Sequence, residues 1–116
     1  MQPQFTYRAT VIRVIDGDGL VLRVDAGFRV FVEAPFRLLG LNAPEKYTVT
    51  GKLAKAWTEA WCLAHPDLVV TTEKDPEKYG RWLGTVVSAD DGEVLNVALV
   101  AAGHAFPWDG KGRRPI

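Results

Sequence analysis

A small, mainly β domain closed into a five-stranded Greek-key barrel of the OB type is the fold the sequence predicts. One helix falls between strands three and four and a shorter one after strand five. Three observations carry this. β-branched stretches recur between Asp-Gly turn signals through the first part of the chain. The apolar period then changes to three and four over Gly51 to Ala64, and two more β-rich stretches and a short helical one follow.

Ala9 to Ile15 (ATVIRVI) is the first strand, ended by Asp16-Gly17-Asp18-Gly19. Leu20 to Val24 (LVLRV) is the second, closed by Asp25-Ala26-Gly27. Phe28 to Leu39 offers the third, with Pro35 marking a bulge, a break or an edge, because proline donates no ladder hydrogen bond. Between Gly51 and Ala64, Leu53, Trp57, Ala60, Trp61 and Ala64 share one face of an amphipathic helix. Thr48 or Thr50 caps its start and His65-Pro66 stops it. Leu68 to Glu73 and Arg81 to Ser88 are the last two strands. A helix follows over about residues 94–102, with Gly103 at its C′ position. Residues 107–116 are rich in Gly, Pro and Arg and read as a mobile basic tail on a domain of residues 1–106.

The 116 residues suffice for one domain that buries its own core without a disulfide or structural metal. With 47% apolar and 24% charged residues, disorder, collagen and coiled coil are excluded. Fourteen basic side chains balance fourteen acidic ones, so a polyanion partner must be held by a local site. A single cysteine, Cys62, excludes a disulfide framework and a cysteine-rich zinc site, and beside Trp61 it reads as a small buried hydrophobe. No basic stretch leads into an apolar one at the start, and no apolar run reaches membrane-spanning length. A cytoplasmic monomer without a membrane partner is the expectation.

Four polar features stand apart from the apolar pattern: Asp16-Gly-Asp-Gly, Arg37, Asn42-Ala-Pro-Glu45 and Lys78-Tyr-Gly-Arg81. Taken singly, most have a structural reading. Asp-Gly pairs are ordinary hairpin turns, Pro44 and Glu45 suit a helix approach, and Lys78 and Arg81 can be solvated. Arg37 is different, because a guanidinium among Phe36, Leu38 and Leu39 must find an anion or face solvent. Together the features offer what phosphodiester chemistry requires. Oxygen ligands hold a hard divalent cation, guanidinium forks bind phosphate oxygens, and a spare carboxylate deprotonates water. His65 and His104 show no ligand spacing.

The segments VIRVIDGDGLVLRV, FRLLGLNAPE, EKYGRWLGTVV and LNVALVAAGHA, in that order and over about residues 9–106, resemble the thermonuclease (staphylococcal nuclease-like) family. The resemblance implies an OB-fold nuclease that hydrolyses DNA and RNA with one calcium ion and leaves 3′-phosphates. It implies Asp18, Asn42 and the backbone carbonyl of Ala43 as calcium ligands. Arg37 is implied as the first phosphate-binding arginine, Glu45 as general base and Arg81 as the arginine of the transition state. Lys78 and Tyr79 are implied as substrate contacts. The chain departs from the family in two places near the metal. Asn42 stands where a second ligating aspartate is usual, and Gly19 replaces a threonine. The rival reading is a binding module of the same fold, for nucleic acid or protein, with weakened catalysis.

Overall fold

A computed structural model describes residues 5–75 and 80–109. Nine elements follow in order: β1 (Thr6–Asp16), β2 (Gly19–Asp25), β3 (Phe31–Leu38), β4 (Leu41–Asn42), α1 (Val49–Ala64), β5 (Leu68–Lys74), β6 (Trp82–Ser88), α2 (Leu95–Ala101) and β7 (Phe106–Pro107). Five of the strands close a barrel in the order β1-β2-β3-β6-β5. Every neighbouring pair is antiparallel except β3 and β6, which run parallel. The helix between strands three and four of this barrel is where the sequence predicts it. No described helix is long and apolar enough to cross a membrane.

The strands alternate as a half-buried sheet requires. Leu20, Leu22 and Val24 of β2 point inward with Phe36 and Leu38 of β3, Leu68 and Val70 of β5, and Val86 of β6. Gly84 is tied to this packing, since a Cβ there would stand 3.0 Å from the Phe36 ring and 3.1 Å from Val70. The third strand starts later than its composition suggests. Ala26 N–H donates to the Val30 carbonyl at 2.9 Å, so residues 26–30 form a closed loop. Phe28 and Arg29 adopt left-handed φ values of 56° and 63° in it. Pro35 pairs with Val21 of β2, and the ladder to β6 begins only at Phe36. Proline thus occupies an edge-like position where a missing N–H is tolerated.

Helix α1 keeps Trp57 and Trp61 of the expected apolar face against the core and corrects the rest. Gly51, Ala54, Thr58, Trp61 and Cys62 are buried, whereas Leu53 is 55% exposed and Ala60 and Ala64 face solvent. Close approach is the reason. A Cβ on Gly17 would lie 2.8 Å from Ala54 Cβ, and one on Gly51 would lie 1.8 Å from the Glu45 carbonyl oxygen. Only small side chains fit against the β1–β2 turn, so the helix turns its bulkier Leu53 outward. Thr48 caps it, its hydroxyl accepting from Gly51 N–H at 3.0 Å. Helix α2 ends as predicted. Gly103 has a φ of 82°, with His104 N–H on the Leu99 carbonyl and Gly103 N–H on that of Val100, a Schellman closure.

The short ladder between β4 and β7 has no counterpart in the periodicity. Leu41 pairs with Pro107 and Asn42 with Phe106, and Trp108 N–H donates to the Gly40 carbonyl at 2.9 Å. The first two residues of the expected tail, Pro107 and Trp108, are therefore docked on the fold. Residues 110–116 lie outside the described residues.

Candidate active site

The β1–β2 turn is clamped from three sides. Thr58 of α1 donates its hydroxyl to the Gly17 carbonyl at 2.8 Å, and Leu38 N–H donates to the Asp18 carbonyl at 2.8 Å. Ala43 N–H donates to Asp18 Oδ2 at 3.1 Å. Register shifts in β1 between Val11 and Arg13 and between Val14 and Asp16 twist the strand into this turn. The result is a buried Asp18 whose position is dictated by α1, β3 and the segment after β4.

Arg37 pairs across the ladder with Gly19, which brings its side chain to the same turn. Its Nε stands 3.8 Å from Asp18 Oδ2, an ion pair with both side chains about nine-tenths buried. Its Nη2 donates to the Leu41 carbonyl at 3.4 Å and to Asn42 Oδ1 at 3.3 Å. Asn42 is itself 3% exposed, so its amide oxygen is part of the arginine's seat. Asn96 holds the turn between them from below. Its Nδ2 donates to the carbonyls of Leu39 and Gly84, and its Oδ1 accepts from Val86 N–H.

Asp16 joins this group although the family resemblance does not single it out. Its Oδ1 is buried with no hydrogen-bond partner among the described residues. Burial, then hydrogen bonding and charge repulsion from the Asp18 carboxylate, push its pKa up to about 7, opposed by the Asp18 backbone N–H and then by Lys46. Gly19 explains how the carboxylate fits, because a Cβ at that position would lie 2.6 Å from Asp16 Oδ1. The pattern DGDG carried the signal: two carboxylates one glycine apart at a tight turn cannot diverge far. An orphaned buried carboxylate oxygen beside a second carboxylate suits a hard divalent cation, with the Arg37 guanidinium and the Ala43 N–H already turned to Asp18. These residues fit calcium.

The other predicted residues are less tightly gathered. Glu45 lies three residues beyond Asn42 in the loop to α1, exposed, its backbone carbonyl accepting from the Thr48 N–H and hydroxyl. Arg81 precedes β6 by one residue. Since Arg37 pairs with Leu83, Arg81 shares its side of the barrel wall, two residues along. Its Nε donates to Asp75 Oδ2 at 2.5 Å, and the Asp75 side chain is only 2% exposed. Lys78 and Tyr79 lie outside the described residues. Trp108, which the sequence leaves unassigned, covers the Arg37 guanidinium at 4.7 Å from ring centroid to Cζ.

A second set of potential ligands meets at the far end of α1, where atoms of His65, Asp91 and Glu93 lie within 4.8 Å of one another. Here each group has a protein partner. His65 Nδ1 bonds the Trp61 carbonyl at 2.8 Å and its Nε2 faces Asp91 Oδ2 at 3.2 Å. Glu93 Oε1 accepts from the Trp61 indole N–H at 2.5 Å, and Asp91 Oδ1 accepts from Glu93 N–H. This set reads as a clasp between α1 and the turn after β6. Cys62, behind it, is buried, and burial pushes its thiol up to about 11, which leaves it unreactive.

The chain is 33% identical over 113 residues to Protein ParB of Escherichia coli, a match that covers 91% of this chain and 60% of that protein. A family described as staphylococcal nuclease homologue matches residues 35–113, the span that contains Arg37, Asn42, Glu45 and Arg81. That match covers more than half of the sequence, and the chain belongs to the staphylococcal nuclease homologue family.

Proposed function

We propose that this chain is a calcium-dependent nuclease that hydrolyses phosphodiester bonds of single-stranded or frayed DNA or RNA and leaves 3′-phosphate ends. The observation that carries the reading is the buried group of Asp16, Asp18 and Arg37, where two carboxylates crowd one turn beside a guanidinium. Family membership supports a nuclease-like or nucleic-acid-binding role.

Asp18, the Asn42 amide oxygen and the Ala43 carbonyl are the proposed ligands, with Asp16 adding charge that the neutral Asn42 does not supply. Calcium bound there would neutralise charge on a phosphate oxygen. Arg37 donates N–H groups to the other phosphate oxygens. Glu45 takes the proton of the attacking water while the water oxygen bonds to phosphorus. Arg81 exchanges part of its contact with Asp75 for the charge that builds on the phosphoryl oxygens and on the departing 5′ oxygen. Breaking the P–O5′ bond leaves the phosphate on the 3′ side. Lys78 and Tyr79 would contact the substrate's phosphate and sugar.

The test is digestion of plasmid and single-stranded substrates with calcium and with excess chelator. Cleavage with calcium alone is expected, and robust cleavage in chelator rules the metal mechanism out. One observation favours the rival, a catalytically weakened module for nucleic acid or protein. Asn42 lowers the ligand charge and is engaged by Arg37. Retained oligonucleotide binding without turnover is its signature.

A further inference from the structure

Arg37 is held in its own plane by acceptors and across its face by a ring. The in-plane contacts are to Leu41 and Asn42, at 3.4 and 3.3 Å, with Asp18 at 3.8 Å. These distances are at or beyond the long end of hydrogen bonding, so they orient the guanidinium loosely. The face is covered by the Trp108 indole at 4.7 Å. The same short ladder supplies both. Leu41 and Asn42 receive the arginine from β4, and their partners Pro107 and Phe106 in β7 deliver Trp108, anchored by its N–H on Gly40.

We propose that Trp108 is a positioning residue for Arg37. Its indole face restrains rotation of the guanidinium plane, so that donors not engaged by β4 stay aimed at a substrate phosphate. Indole is the strongest of the aromatic faces toward a cation, and the contact gains strength where water is excluded, as around this buried arginine. A planar fork loses less freedom on binding when its plane is already set. The proposal rests on the reading of Arg37 as a phosphate-binding group. It adds that the segment after α2 completes the site.

Trp108→Leu and Trp108→Phe in the full chain test it, with melting temperature as a check on folding. The first readout is the Arg37 Nε–H resonance in a proton–nitrogen spectrum, assigned by its loss in Arg37→Lys. Removal of the indole ring current in Trp108→Leu should move it, whereas Trp108→Phe should shift it less. The second is affinity for a phosphorothioate single-stranded oligonucleotide with calcium. Trp108→Leu should bind about 3- to 10-fold more weakly, the range expected of one cation–π contact, and Trp108→Phe within about 2-fold of wild type. An unmoved resonance, wild-type affinity in Trp108→Leu, or equal losses in both variants overturns the proposal. A wild type that binds but does not cleave, with binding weakened in Trp108→Leu, overturns the nuclease reading and leaves this one standing. A wild type that cleaves, with Trp108→Leu binding equally well, does the reverse. A wild type that neither binds nor cleaves overturns both.

Discussion

Two clusters packed on α1 each gather carboxylates beside a basic side chain, yet they are built to opposite ends. At the β1–β2 turn, against Ala54 and Thr58 in the middle of the helix, Asp16 and Asp18 face each other in a buried setting, and one oxygen of Asp16 has no hydrogen-bond partner among the described residues. At the C-terminal end His65, Asp91, Glu93 and the Trp61 indole satisfy one another in the open. Proximity of acidic groups is therefore a poor guide to a metal site. What separates the two is that Asp16 Oδ1 is left without a hydrogen-bond partner although Asp18 is engaged by Arg37 and Ala43, while each carboxylate of the second cluster has one. Burial decides the rest, because a crowded pair in low dielectric needs a proton or a cation, while an exposed one is relieved by water.

The sharpest way to break this contrast is through catalysis. Glu45→Gln should lower turnover by roughly 10²–10⁴-fold with little change in melting temperature, because the carboxylate is exposed and its proposed role is proton transfer. Arg81→Lys should be about as severe, since a point charge does not replace a fork at the transition state. Wild-type rates in both would leave the β1–β2 turn with no more chemistry than the other cluster.

Asp16→Asn probes the crowded charge itself. A carboxyl whose folded pKa is raised favours folding below its unfolded value, and that contribution is lost as pH rises through about 7. At pH 8 without divalent cation, Asp16→Asn should melt about 3–6 °C above wild type. Calcium should stabilise the wild type more than the variant. Thermal melts at pH 5 and pH 8, with and without calcium, show whether the gap closes at low pH.

A smaller effect is expected at residue 42. Asn42→Asp adds an anionic oxygen and should lower the calcium concentration for half-maximal activity, with no comparable gain at saturation. Superimposable calcium titrations would mean residue 42 serves Arg37 alone, as its 3.3 Å contact permits.

The smallest effect belongs to the exposed clasp. The hydrogen bond to the Trp61 carbonyl, then the Asp91 charge, holds His65 above its ordinary value, while the Glu93 N–H holds Asp91 below its own. Stability from His65 is present below the usual histidine range and lost as pH rises through the raised value. That from Asp91 is lost as pH falls through its lowered one. His65→Ala should thus cost about a degree or two more of melting temperature at mildly acidic pH than at pH 9, where the neutral ring keeps only its contacts with Trp61. Nuclease activity should not change. A large loss of activity would mean the two clusters on α1 are coupled.

The strands were legible because period two and turn chemistry are local. ATVIRVI, DGDG and LVLRV read as a hairpin, and Leu20, Leu22 and Val24 alternate inward as written. The caps at Thr48 and Gly103 were legible for the same reason. Arg37 was legible as a charge out of place in an apolar run, a conflict that a fold resolves only with an anion or a site. Asp18, Asn42 and Glu45 followed from motif resemblance, and their spacing alone would not have separated them from turn and loop residues.

Several features depend on distances between remote segments, which no local pattern encodes. The face of α1 was misjudged because hydrophobicity favours Leu53, whereas a contact as close as that of Gly17 with Ala54 admits only small side chains. Asp16 became distinctive through burial, which α1 and the β4 segment impose on a turn that in isolation would be solvated. Trp108 reached Arg37 through a two-residue ladder too short to show a period. Local chemistry chose the strands, the turns and the inventory of charged groups. Long-range packing chose which of those charges lose their water, and that loss is what makes a hairpin turn and a stray arginine a candidate site.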